Sequence, residues 1–143
     1  MKLQIHQTRL RGGQLYPIKL LQQVGKTIEQ EIGKQSMDVS IGFVSRGDIR
    51  KANKQYRGND RVTDVLSFLL EQDQGEILLS YEQARDQAKE MRHTVRAEIT
   101  FLIVHGILHL VGYDHEHKID AKKMFFVQER ILVKLHVDPR LHV

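Results

Sequence analysis

Apolar and polar positions change period several times along this chain of 143 residues, and each change marks an element. Leu3, Ile5 and Gln7 alternate with Lys2, Gln4 and His6, the two-residue period of a strand. Between positions 16 and 34, Ile18, Leu21, Val24, Ile28 and Ile32 recur at helical spacing, and Pro17 suits a first turn. Val39, Ile41 and Phe43 alternate again, and residues 45–56 then read as a short polar helix. RGND at 57–60 is turn chemistry. Two short apolar runs, 65–70 and 75–79, pair naturally as a hairpin across 71–74.

The second half is helical. Ser80 with Gln83 makes a capping box for a helix reaching Arg92. Thr94 can cap the next helix, which carries Val95, Ile99, Leu102, Ile103, Ile107 and Leu110 and is apolar around much of its circumference from Ile99 onward. Such a helix belongs at the centre of the fold. A last amphipathic helix, 120–136, uses Met124, Phe125, Val127, Ile131, Leu132 and Leu135. Tyr56 and Phe68 are also read as core residues, and Tyr113 as a residue able to face either way. Strands early and helices late predict an α+β fold, with about five helices packed on a small sheet. The length fits one domain spanning 1–143, and no internal repeat, linker or low-complexity segment divides it.

Composition adds exclusions. The chain has no cysteine, which removes disulfides, thiolate metal sites and cysteine nucleophiles and fits a reducing compartment. Lys and Arg outnumber Asp and Glu by 22 to 18, and the isoelectric point of about 9.4 is compatible with a nucleic-acid partner without naming one. No apolar run reaches the length of a signal-peptide core or a membrane span, so a cytoplasmic location and no membrane partner are expected.

The segment HGILHLVGYDHEH, 105–117, carries the candidate chemistry. His105 and His109 stand four residues apart, one above the other on a helix face. Gly112 can end the helix, and the chain can then turn His115 back toward the pair. Three imidazoles with one open position form the catalytic type of zinc site. Each histidine taken singly reads as a core residue bonded to backbone carbonyls; the spacing of the set favours a shared metal. The same ligands would also take nickel, copper or iron. His117 is a rival third ligand, and Asp114 is a candidate to orient an imidazole or the attacking water, with an ordinary turn residue as its alternative reading.

The spacing H-x-x-x-H-x-x-G-x-x-H also frames one class of metalloproteases, which place a glutamate after the first histidine as general base. Here that position is Gly106, so a proteolytic reading survives only if Asp114 or Glu116 substitutes.

HGILHLVGYDH resembles the signature of the YbeY endoribonucleases, metal-dependent proteins of bacterial ribosomal RNA maturation. YRGNDRVTDVLSF at 56–68 is similar to that family's arginine loop and following strand, GEILLS at 75–80 to its next strand, and the stretch with Met124, Glu129, Ile131 and Leu132 to its closing helix. The likeness covers the chain from about residue 40; the first 35 or so residues match only in general pattern. Two departures are SFLL at 67–70, where the family usually has a proline, and Glu76, where it often has an aspartate. The resemblance implies a mixed four-stranded sheet around the metal-bearing helix. It also implies one zinc ion on His105, His109 and His115, and Arg57 in the substrate cleft. The activity it implies is single-strand-specific endoribonuclease action in late 16S rRNA 3′-end maturation and ribosome quality control. The implied partners are ribosomal RNA, the small ribosomal subunit and its proteins, and a ribosome-assembly GTPase, with no DNA.

The residues suit that chemistry. Arginine donates two parallel hydrogen bonds to a phosphate and keeps its charge, so Arg57 is the candidate clamp and a solvated loop residue is its plain alternative. Arg46, Arg50, Lys51, Lys54, Arg57 and Arg61 form a basic run that becomes a track for RNA phosphates if it borders the metal cleft. Two other readings remain open: a non-catalytic ribosome-assembly factor with a structural zinc site, or a metal-dependent hydrolase of another substrate.

Overall fold

The computed structural model describes residues 1–113 and 118–138. Their order is β1 (Lys2–His6), a short 3-10 turn (Gly12–Gln14), α1 (Ile18–Ile32), β2 (Asp38–Phe43), α2 (Arg46–Arg57), β3 (Val65–Glu71), β4 (Gln74–Leu79), α3 (Tyr81–Met91), α4 (Val95–Leu110) and α5 (Lys118–Lys134). The strands form one mixed sheet in the order β1-β2-β4-β3. The pairs β1/β2 and β2/β4 are parallel, and β3/β4 is the expected antiparallel hairpin. The fold is therefore α+β, with five α-helices and a four-stranded mixed sheet among the described residues.

Local chemistry sets the helix starts. The hydroxyls of Ser45, Ser80 and Thr94 accept the backbone N–H groups of Asp48, Gln83 and Ala97, capping α2, α3 and α4. Pro17 sits just outside α1, where its missing N–H costs nothing.

The register puts Val39, Ile41 and Phe43 of β2 on the same face as Gly75, Ile77 and Leu79 of β4. That face meets α4, which is buried on nearly every side and packs against β3, β4, α1, α3 and α5. Sheet and helix approach closely at two glycines. A Cβ on Gly75 would lie 2.7 Å from Leu110, and one on Gly106 would lie 3.0 Å from Ile77. The position where a protease would carry its glutamate is thus filled by packing against the sheet, which removes the proteolytic reading's usual base for a steric reason.

Two apolar positions of the predicted first and last helices face outward. Ile18, in the first turn of α1, and Phe125, on α5, are each more than half exposed. Met124, Ile131 and Leu132 carry the α5 contribution to the core, and Leu135 adds to it just past the helix end.

Candidate active site

The last turns of α4 present His105 and His109 at the rim of the core, both half-buried, with ring centroids 4.7 Å apart and ring planes at 73°. His105 also stacks on Phe101, one turn earlier, at 5.8 Å. Its Nδ1 lies 2.9 Å from the amide oxygen of Gln128 on α5, itself only 4 % exposed. An amide oxygen can only accept, so Nδ1 carries the proton and Nε2 the lone pair. This orienting contact is the kind that fixes a metal-ligating imidazole.

Helix α4 ends as the sequence predicts. Gly112 takes φ +108°, the Gly112 N–H bonds His109 O, and the Tyr113 N–H bonds Leu108 O. This pair of bonds is a Schellman closure with glycine in the position that needs a positive φ. The chain therefore turns immediately after the second histidine. Asp114, His115 and His117 lie outside the described residues, and among the described residues no group of three metal-ligating side chains gathers.

Opposite the histidines stands the loop joining α2 to β3. His105 and His109 line a cavity of about 290 Å³ together with Arg57, Arg61, Asp64 and Ser67. Arg57 is the final residue of α2, and Gly58 ends that helix with φ +71°. The Arg57 guanidinium donates to the Ser67 carbonyl at 3.4 Å, which draws it along the edge of β3. Buried Asn53 steadies the loop: its side chain donates to Arg61 O, and its carbonyl accepts the Asn59 N–H. Asp64 accepts from the Val65 N–H and the Gln87 side chain, pinning the start of β3 to α3.

The basic run divides by partner. Arg46 pairs with Asp86 and Arg50 with Asp60, and the hydrogen bonds from these arginines hold both carboxyls below the usual aspartate range. Arg57 and Arg61 instead face the cavity. Tyr56, expected in the core, is 53 % exposed and stacks on half-buried Phe68. Tyr113 is half-buried against the main core. Gln128 and Asp64 were not anticipated. Gln128 had a legible signal, as the one polar residue on a stripe with Met124, Ile131 and Leu132. Asp64 had none, because polar residues are ordinary in a loop.

This geometry brings a histidine pair and an arginine into the lining of one cleft. The family model for Endoribonuclease YbeY matches residues 7–136. The chain belongs to the Endoribonuclease YbeY family. Among its relatives, Endoribonuclease YbeY of Bacillus subtilis is 40 % identical over 119 residues, covering 73 % of this chain and 76 % of that protein. Endoribonuclease YbeY of Sulfurihydrogenibium is 41 % identical over 127 residues, covering 82 % of each. The solution structure of TM1509 from Thermotoga maritima superposes with a TM-score of 0.59 at 31 % identity, covering 94 % of this chain and 91 % of that one. No described helix is long and apolar enough to cross a membrane.

Proposed function

We propose that this chain is a zinc-dependent endoribonuclease that cleaves single-stranded ribosomal RNA, acting in 16S rRNA 3′-end maturation and ribosome quality control. The observation that carries this reading is the His105–His109 pair, set by Gln128 and facing Arg57 across one cleft. Family membership supports an RNA phosphodiester as the substrate.

His105 and His109 fit a metal, because their rings are adjacent on one helix face and His105 turns its lone pair to Nε2. His115 completes the ligand set in this reading, as its spacing after Gly112 suggests. A zinc ion held there would bring the pKa of bound water to about 7 and polarise a phosphoryl oxygen. The chain's own groups supply the rest. Arg57 binds a non-bridging phosphate oxygen and offsets the charge that grows on it as the phosphorus is attacked. Arg61 draws the strand into the cleft by its charge. Asp114 orients a histidine ring or the attacking water. The buried face of α4 keeps solvent away from the rear of the histidines. Small-subunit proteins and an assembly GTPase would bring the enzyme to its RNA in the cytoplasm.

The test is cleavage of a single-stranded ribosomal RNA fragment by zinc-loaded protein, beside a His109→Ala version purified identically. Cleavage by the parent alone is expected. Equal cleavage by both would show contamination or chemistry elsewhere, and none by either would shift the reading to an assembly factor with a structural metal.

A further inference from the structure

Tyr56 and Phe68 form a feature that the metal and arginine chemistry does not use. Their ring centroids are 4.4 Å apart and their planes differ by 15°, so Phe68 covers one face of the Tyr56 ring. Tyr56 is nonetheless 53 % exposed, so the stack with Phe68 leaves much of the residue open to solvent. We propose that the face of Tyr56 turned away from Phe68 is a stacking platform for one unpaired base of the RNA strand whose phosphate Arg57 holds. This inference rests on the ribonuclease reading above and adds a base subsite to it.

The placement supports the pairing of functions. Tyr56 precedes Arg57 at the end of α2, and Phe68 follows Ser67 on β3, the residue whose carbonyl accepts the Arg57 guanidinium. Adjacent Cα atoms lie about 3.8 Å apart, so base and phosphate of one short stretch of strand can reach both groups. Among the described residues β3 is the edge strand, with no further strand paired to its outer side to block a nucleic acid passing over it. Successive β3 side chains point to opposite faces: Ser67 looks toward the histidines and Phe68 away from them. A strand bound at Arg57 would therefore cross the β3 edge, with its phosphate on the cavity side and a base on the Tyr56 side.

Phe68 keeps the platform flat and pre-set, so little side-chain freedom is lost on binding. A base inside a duplex has both faces covered by its neighbours, whereas an unpaired base can present a face to tyrosine. The platform thus gives a physical source of single-strand preference. One ring with no base-edge contacts reads no sequence, which fits an enzyme positioned by other means.

The rival explanation is that Tyr56 only packs α2 against β3. Single-stranded RNA oligonucleotides carrying 2-aminopurine at one position each separate the two, read immediately on mixing with the zinc-loaded protein. The chain has no tryptophan, so the probe is excited without interference from indole. Quenching at one position is expected, together with loss of that quench and binding weakened about fivefold or more in Tyr56→Leu. Tyr56→Phe should keep both. An abasic nucleotide at the quenched position should lower the unmodified protein's affinity to the Tyr56→Leu level, and this arm decides alone if that variant does not fold. Binding with no position-specific quench and no abasic effect would overturn the platform and leave the ribonuclease reading intact. Failure to bind any single-stranded RNA would overturn both.

Discussion

His105 and His109 stand on a helix packed on nearly every side, while Arg57 ends an exposed helix tip and Arg61 stands on the loop after it, a segment tied down by hydrogen bonds. One wall of the cleft is fixed by packing, the other by polar contacts open to water. The difference follows the work each wall is suited to. In the proposed function the histidines are metal ligands, which must be held to a fraction of an ångström, and a buried helix and a buried glutamine suit that demand. The arginines, proposed to clamp phosphate, would have to meet a solvated chain from outside, and charge acts over a longer range than ligand geometry.

The largest test of this contrast is at the arginine. Arg57→Ala should slow cleavage about 10²–10³-fold, the usual loss on removing one donor to a developing oxyanion. Zinc affinity, measured by competition with a chromophoric chelator, should not change. A parallel loss of zinc would show that the two walls are not independent. The next effect is at Gln128, where Leu preserves the volume and removes the acceptor. Gln128→Leu should lower zinc affinity or rate about 10–100-fold, with RNA binding to the arginine wall retained. No change in either would mean that α5 does not set the histidine.

The smallest effect is in acid. Glu31 on α1 bonds Arg130 and Lys134 on α5, the helix that carries Gln128. The hydrogen bonds from Arg130 and then Lys134 hold the Glu31 carboxyl below its ordinary 4.5. A depressed folded value means the contact stabilises fully above the ordinary value and is lost as pH falls through the folded one. Asp60 is shifted the same way by Arg50, but its pair is about half exposed at both ends, whereas the Glu31 side chain is 10 % exposed. Melting curves between neutral pH and the acid limit should show Glu31→Gln less stable at neutral pH and less sensitive to acid than the parent. Added salt should blunt an Asp60→Asn effect more than a Glu31→Gln effect. Equal salt sensitivity would show that the contact bracing α5 is no better sheltered from solvent than the ion pair of the α2–β3 loop.

Much of the fold was legible because its signals are local. The Ser80 and Thr94 caps, the hairpin and the end of α4 at Gly112 each depend on a few neighbouring residues. Burial was less legible. Tyr56 and Phe125 fit apolar patterns yet face solvent, because periodicity shows that a residue is apolar and not whether another element covers it.

The sequence by itself determined the helix that carries the histidines, their shared face and the turn that follows, since helical spacing and glycine's backbone freedom act within a few residues. Only the tertiary structure decided that β2 lies between β1 and β4, that Gln128 meets His105 from 23 residues away, and that Arg57 faces that histidine across a cleft. Those relations depend on how distant apolar surfaces pack together, and no local pattern encodes them.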